Sequence, residues 1–314
     1  MAQRVVCVVG PTASGKTKMG AALAKRFNGE VVSVDSMQIY RGMEIGTAAP
    51  TPEEMEGVPH HMIGVADPAE SWSVSRFTEE ADRCIQDILR RERLPVLVGG
   101  TGLYLDALVR GHTFAAGQQG GAVRRELQQR LAREGAAALL AELAQVDPET
   151  AARLHLRDEK RILRALEVYR ETGETISEHD RKSREAPDRY DALYIGLSFQ
   201  DRQDLRDRID ARVDAMVAQG LLDEVNALLA GGLSHDATAW QAIGYKQFLA
   251  VSEGRATVEE AIAEVKLRSR QYAKRQLTWL RRNPDIFWVR WQRQPNFPEG
   301  LQKATEYLRG RGLC

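Results

Sequence analysis

Cysteine is scarce in this chain and widely scattered. The 314 residues include three cysteines, Cys7, Cys84 and Cys314. An odd number at such wide spacing argues against a disulfide framework and against a cysteine-ligated metal site, and it fits a reducing compartment. We therefore expect a cytoplasmic protein without structural disulfides.

Long apolar runs are also missing. No stretch approaches the roughly 20 apolar residues that a helix needs to cross a bilayer. The first predicted strand begins close to Met1, so we expect no signal peptide. We expect no membrane partner. With 43% hydrophobic and 28% charged residues, the composition is that of a globular protein of one large or two ordinary domains.

The chain also has no net charge, because 44 basic residues balance 44 acidic ones. The average composition therefore indicates no polyanionic partner, but one segment departs from it. Between Lys266 and Arg293 there are nine lysines and arginines against one acid, Asp285. Such asymmetry within a neutral chain is typical of a localised nucleic-acid-binding surface, and a merely solvated basic helix face is the alternative.

The segment from Gly10 to Thr17 is the most specific motif that is present. It follows the apolar run 5–9 and precedes a helix-like pattern, the order that a phosphate-binding P-loop needs. Backbone N–H groups and the helix dipole favour phosphate there, Lys16 adds a positive charge, and the Thr17 hydroxyl is a ligand for Mg²⁺. The motif predicts a di- or triphosphate ligand, by default ATP or GTP. The predicted phosphate-binding residues are Gly10, Pro11, Thr12, Ala13, Ser14, Gly15, Lys16 and Thr17.

Alternating strand and helix patterns predict an α/β fold. The apolar runs are continuous, which is typical of parallel strands covered on both faces. Residues 112–187 carry helical patterns alone, so we predict an all-helical insertion domain in a P-loop NTPase-like core that spans 1–111 and 188–314. The predicted strands are 5–9, 30–34, 94–98, 193–198 and 287–291.

Three strand ends are candidates for a single site. Ligands of parallel α/β sheets gather at the carboxyl ends of the strands. The P-loop, Asp35 and the turn around Thr101 each follow a predicted strand. A carboxylate beside a P-loop acts either as an indirect ligand of Mg²⁺ or as a general base. The residues alone leave both roles open for Asp35.

An ordered series of segments resembles the tRNA dimethylallyltransferase family. It spans essentially the whole chain and consists of the P-loop with 35–48, 59–61, 97–104, 161–168, 212–216, 242–247 and 274–281. Members of this family share the P-loop fold but use it to hold dimethylallyl diphosphate. The resemblance implies transfer of the dimethylallyl group to N6 of the adenine 3′ of the anticodon in the tRNA anticodon loop, with Mg²⁺ as cofactor.

The resemblance also implies roles for individual residues. Asp35 is the implied general base, and Lys16, Thr101 and Arg212 are implied contacts of the leaving diphosphate. Ser36 and Gln38 are expected to read the edge of the target base. The implied tRNA contacts are Asp35, Ser36, Met37, Gln38, Thr101, Val123, Arg124, Lys160, Arg161, Arg164, Gln241, Gly244, Lys246, Lys274, Arg275, Gln276, Trp279 and Arg281. A helix predicted over 257–283 carries the last five, and its mixture of basic and aromatic side chains suits phosphate contacts and base stacking.

Some features differ from the family pattern or limit it. The loop 112–121 is rich in glycine and glutamine and lacks the proline usual in members, and Arg124 takes the place of the arginine that follows. No cysteine- and histidine-rich extension follows the core, as in bacterial-type members. His60 and His61 have no third ligand at metal-binding spacing, so we expect a structural role for them. A complete site in one chain predicts a monomer.

Two alternatives from other classes remain open. One is a related enzyme that prenylates AMP, ADP or ATP with the same P-loop, Asp35 and Thr101. It would need neither the helical insertion nor the basic helix. The other is a P-loop kinase or an ATP-driven RNA-binding switch. This alternative predicts ATP turnover, and the sequence shows no obvious adenine-pocket motif or apolar run ending in paired acids.

Overall fold

The computed structural model describes residues 3–112, 121–185 and 187–314. The unusual loop predicted at 112–121 therefore lies outside the described residues for all but its two ends. Proximity of Cα atoms divides the chain into two compact units, Met1–Val109 with Arg189–Cys314 and Arg110–Asp188. The division falls close to the ends of the predicted insertion.

The first unit is built on a parallel sheet, which confirms the α/β fold class. Its strands among the described residues are β1 Gln3–Val9, β2 Gly29–Val34, β3 His60–His61, β4 Leu94–Gly99, β5 Tyr190–Phe199 and β6 Phe287–Trp291. Their order is β3-β2-β4-β1-β5-β6, and every pairing is parallel. All five predicted strands are present. Strand β3 was not predicted, because two residues are too few to show a pattern.

Helices cover both faces of this sheet. Along β1 the buried side chains alternate between two hydrophobic clusters, with Val5 and Val9 in one and Val6 and Val8 in the other. This explains why the apolar run is continuous. The helices of the unit are α1 Lys16–Arg26, α2 Glu44–Thr47, α3 Pro52–Met55, α4 Val74–Arg90, α5 Gly102–Arg110, α10 Arg202–Ala218, α11 Leu221–Ala230, α12 Tyr245–Ser252, α13 Val258–Leu280 and α14 Phe297–Gly310, with a 3₁₀ turn at Thr238–Gln241.

The second unit is helical in its described residues and has its own core. Leu127, Leu143, Ile162 and Leu166 are buried together there. Its helices are α6 Ala122–Val146, α7 Pro148–Arg153, α8 Glu159–Thr172 and α9 Ile176–Glu185. Within the described parts of the chain, no helix is both long and apolar enough to span a bilayer.

Candidate functional site

The site lies at the carboxyl edge of three adjacent strands. Strands β2, β4 and β1 are neighbours and run parallel, so the segments that follow them meet at one edge. These segments are the P-loop after β1, Asp35 after β2 and the turn with Thr101 after β4. The structure therefore brings the three predicted junctions together.

The P-loop ends at the first turn of α1. Gly15 is the N-cap of this helix and has φ 89°, a left-handed conformation that glycine adopts without strain. The Ser14 hydroxyl is buried, and no hydrogen-bond partner for it occurs among the described residues. Because a buried polar group is normally paired, this hydroxyl is available for a phosphate oxygen.

Two side chains outside the P-loop motif support the loop. The indole Nε1 of Trp291, at the end of β6, donates to the carbonyl of Ser14 at 2.9 Å. The Nε of Arg208, on α10, donates to the carbonyl of Ala13 at 3.4 Å. Neither residue belongs to a local motif, so the sequence contained no signal for this role.

Lys16 lies under the influence of a cation, Arg212, and of a carboxylate, Asp35. Its Nζ donates to the carbonyl of Pro11 at 2.8 Å. Burial, with a smaller effect of Arg212, lowers the pKa of Lys16 to about 8, and Asp35 opposes this shift. Burial also lowers the pKa of Arg212, against the effect of Glu54 and Asp35. A bound anion would stabilise both cations.

Asp35 is oriented by its own turn. Its Oδ1 accepts hydrogen bonds from the backbone N–H of Met37 at 2.9 Å and of Gln38 at 3.4 Å. These bonds fix the carboxylate and leave Oδ2 without a hydrogen bond from the described residues. An oriented carboxylate with one free oxygen is suited to accept a proton.

Thr101 and two tyrosines complete the wall of the site. The Thr101 hydroxyl is buried and lies beside the phenol of Tyr272. Burial raises the pKa of Tyr272, and Asp35 adds to the shift. Burial, Tyr40 and Asp35 raise the pKa of Tyr104 to about 12. Both phenols therefore remain neutral hydrogen-bonding groups beside Asp35, and no local motif indicates them.

Gln276 lies inside the protein, with 5% of its surface exposed. Its Oε1 accepts from the N–H of Thr12 at 2.9 Å, and its Nε2 donates to the carbonyl of Gly100 at 3.1 Å. A Cβ on Gly100 would overlap this amide. The side chain ties the P-loop to the turn after β4. This placement differs from the predicted tRNA contact, because both ends of the amide are already bonded within the core.

Trp279 is half-buried on the same helix. Its Nε1 donates to Asp106 Oδ2 at 3.1 Å, and the ring packs against Gly102. The Arg282 guanidinium lies 5.3 Å from the ring centroid. The indole N–H is therefore used within the protein, and any RNA contact would fall on the exposed part of the ring and on its arginine neighbour.

The basic face of α13 is neutralised over its first half. Acidic side chains pair with Lys266, Arg268 and Arg270 there, namely Asp214 at 2.6 Å, Glu264 at 2.6 Å and Asp210 at 2.7 Å respectively. Further along the helix, the predicted contacts Lys274, Arg275 and Arg281 are exposed. No ion pair joins them to any described residue. The positive surface is thus concentrated at the carboxyl end of the helix.

The other predicted contacts of the α/β unit differ in exposure. Ser36 and Met37 are half-exposed beside Asp35, whereas the Gln38 amide is bonded within the protein. Gln241 and Lys246 are exposed on either side of the buried Gly244, which has φ 103° at the start of α12.

The predicted contacts in the helical unit lie on α6 and α8. Lys160 and Arg161 are exposed, and Arg161 pairs with Asp158 at 3.1 Å. Arg164 and Arg124 share the buried carboxylate of Glu167, at 2.9 and 3.7 Å. Val123 packs against the hydrophobic core of the unit, so its side chain is at least partly structural.

The two histidines of β3 make structural hydrogen bonds, as expected. His60 Nδ1 lies 2.8 Å from the Val58 carbonyl, and His61 Nε2 lies 2.7 Å from Glu30. Over the described ranges of the chain, no group of three or more His, Cys, Asp or Glu side chains could hold a metal ion.

The parallel sheet and the loop after β1 define a P-loop α/β protein. The sequence matches the family described as IPP transferase over residues 38–283, and the one described as isopentenyl transferase over 3–64. A tRNA dimethylallyltransferase of Geobacillus thermodenitrificans is 45% identical over 311 residues, 99% of this chain and 98% of that protein. The chain belongs to the IPP transferase family.

Solved structures agree with this assignment. The tRNA isopentenylpyrophosphate transferase of Bacillus halodurans matches with a TM-score of 0.72 and 42% identity, over 98% of this chain and 96% of that one. A eukaryotic dimethylallyltransferase acting on tRNA matches with a TM-score of 0.82 and 28% identity, over 99% and 81% of the two chains. The family resemblance read from the sequence segments is confirmed.

Proposed function

We propose that this protein transfers a dimethylallyl group from dimethylallyl diphosphate to N6 of the adenine 3′ of the anticodon in tRNA. One observation carries the proposal beyond family membership. The carboxylate of Asp35 lies close enough to two cations, Lys16 and Arg212, to raise the pKa of each against the effect of burial. Such a site can hold an anionic leaving group next to a proton acceptor.

The diphosphate would be held by the P-loop. Backbone N–H groups at the start of α1 point toward this position, and the helix dipole favours negative charge there. The buried hydroxyl of Ser14 has no partner among the described residues, so a phosphate oxygen would satisfy it. Lys16 and Arg212 supply the opposing charges.

We further propose a magnesium ion at the same place. Thr17, in the first turn of α1, is partly exposed and offers its hydroxyl. Mg²⁺ commonly takes one or two protein ligands and completes its shell with phosphate oxygens and water. We propose that Thr17 holds it in this way. When bound, the ion neutralises charge that develops on the diphosphate.

In the transfer, the C1–O bond of the allylic diphosphate breaks and its electron pair leaves with the diphosphate. The lone pair of the adenine N6 forms the new bond to C1. The nitrogen then carries a surplus proton, which Asp35 accepts at its free Oδ2. Donors around the leaving group act where charge develops in the transition state, and this is where they lower the barrier most.

The tRNA would be bound mainly through its phosphates. Lys274, Arg275 and Arg281 present unpaired positive charge at the end of α13, and Lys160, Arg161 and Lys246 are exposed elsewhere. The target adenine must leave its stack to reach a site at the sheet edge. Because one chain supplies the whole sheet edge, we further propose that the enzyme acts as a monomer.

The test is transfer of label from dimethylallyl diphosphate with Mg²⁺, to unmodified tRNA and in parallel to AMP and ATP. Label in tRNA, located at the adenine after digestion, is the expected result. Label in the free nucleotides alone would replace the proposal by a nucleotide prenyltransferase. ATP hydrolysis without any transfer would replace it by a kinase or an RNA-binding switch.

A further inference from the structure

Glu224, on α11, holds the start of the short helix α2 through three donors. Its carboxylate accepts from the backbone N–H of Ile45 at 2.8 Å and of Gly46 at 3.1 Å. The hydroxyl of Tyr245 donates to the same carboxylate and also accepts from Gly46 N at 3.1 Å. A Cβ at Gly46 would overlap the Tyr245 ring. The contact therefore depends on this carboxylate, this phenol and a glycine.

The other end of α2 is held by Gln38. Its Nε2 donates to the carbonyls of Thr47 at 3.3 Å and of Ala48 at 3.1 Å. Its Oε1 accepts from the Ser33 hydroxyl at 2.8 Å. The amide is thus bonded within the protein at both ends, which makes Gln38 better suited to fix the segment than to read a base.

These bonds form a continuous connection to Asp35. The N–H of Gln38 donates to Asp35 Oδ1 at 3.4 Å, beside the stronger bond from Met37 N. The series of hydrogen bonds runs from Glu224 to the start of α2 and from the end of α2 to the Gln38 amide. The backbone N–H of Gln38 then continues it to the carboxylate of Asp35. Side chains that orient another group in this way are needed for productive geometry.

We propose that Glu224 is a positioning residue that sets the orientation of Asp35 and of the segment 36–48 toward the acceptor base. The inference rests on the proposed function. It concerns the proton-accepting side of the site and not the diphosphate side, since none of the bonds described here involves residues 10–17. Removal of Glu224 should therefore affect the chemical step while leaving diphosphate binding intact.

A simple contribution to folding would look different. Glu224 is partly exposed and forms no ion pair with a described residue, so its loss strands no buried cation. Its loss leaves the hydroxyl of the buried Tyr245 and the N–H groups of Ile45 and Gly46 without this acceptor, so some fall in Tm is expected for either role. A positioning role adds a loss of rate at unchanged diphosphate affinity, because a displacement of about 1 Å at a reacting group can cost on the order of 100-fold in rate. The two roles are separated by a comparison of kcat with diphosphate affinity and Tm.

The experiment compares the wild type with E224A, E224Q, Y245F and the control D223N, which changes an exposed neighbour on α11. For each variant we would measure kcat with saturating tRNA, the affinity for a non-reactive thiodiphosphate analogue of the donor, and Tm. We expect kcat to fall about 10- to 100-fold in E224A, with analogue affinity within about twofold of the wild type. E224Q keeps one acceptor oxygen and should recover part of the loss. Y245F should fall between E224Q and the wild type.

Unchanged kcat in E224A and Y245F, with an active wild type, would overturn this inference and leave the proposed function standing. Parallel loss of kcat, analogue affinity and Tm would also overturn it, in favour of a folding role. If E224A does not fold, E224Q and Y245F decide by the same criteria. A wild type that labels no tRNA would overturn the proposed function and this inference with it.

Discussion

Replacement of Gln276 by alanine would remove two hydrogen bonds between the P-loop and the turn after β4. The Gly100 carbonyl loses its donor in a buried position, whereas the N–H of the half-exposed Thr12 can turn to water. An unsatisfied buried polar group costs about 1–3 kcal/mol. We therefore expect Q276A to lower the free energy of unfolding of the α/β unit by about 2 kcal/mol. Its Tm should fall by about 4–8 °C.

The same change should weaken diphosphate binding, because Gln276 fixes the backbone of Thr12 within the loop. A Q276E variant sharpens the test. Its carboxylate still accepts from Thr12 N–H, but it cannot donate to the Gly100 carbonyl and it adds negative charge beside the phosphate site. We expect Q276E to bind the diphosphate analogue more weakly than Q276A does, since like charges repel in a partly buried site.

Calorimetry of unfolding and titration with the thiodiphosphate analogue measure both effects. K274A serves as the control, since Lys274 is exposed on the same helix and its loss should change stability by no more than about 0.5 kcal/mol. Q276A with normal Tm and normal analogue affinity but weakened tRNA binding would refute the structural role. That result would instead support the tRNA contact that the family resemblance implies for Gln276.

Three further predictions concern the charged groups. D35N should lower kcat by about 10²- to 10⁴-fold while the thiodiphosphate analogue still binds; equal loss of binding would contradict the role of Asp35 as base. K274A should reduce the slope of log K for tRNA binding against log salt concentration by about 0.7–0.9, and the ion-paired control K266A should not. Equal slopes in the wild type, K274A and K266A would argue against a phosphate contact of Lys274. The pKa of Lys16 is lowered to about 8, chiefly by burial. The affinity for diphosphate should therefore be full below that pH and fall progressively above it, where binding should take up a proton. An affinity that does not change with pH above about 8 would count against a contact between the Lys16 ammonium and the diphosphate.

The continuous valine-rich runs were sufficient to predict the sheet, because strands buried on both faces need no polar alternation. The order of the strands then explains why Gly10, Asp35 and Thr101 meet. The predicted junctions thus depended on local patterns and on one general rule of parallel sheets. By contrast, β3 has two residues, and nothing in so short a segment indicates pairing.

Long-range contacts account for what the sequence could not show. Gln276 interrupts an apolar helix face, and the family resemblance implies an RNA contact for it, but its partners Thr12 and Gly100 lie far away in the chain. Likewise, the basic run looked uncompensated because Asp210 and Asp214 belong to α10 and not to the run itself. The roles of such side chains depend on neighbours that periodicity does not reveal.

The position of β1 between β4 and β5 has a consequence for synthesis of the chain. Arg4 in β1 pairs in register with Asp191 in β5. Because β5 follows the helical unit in the sequence, β1 can pair with it only after that unit has been synthesised. That unit has its own core, and domains generally fold as the ribosome releases them. The P-loop also needs Gln276 and Trp291. We therefore expect a nascent chain to fold its inserted helices early and to acquire affinity for diphosphate only when nearly all residues have emerged.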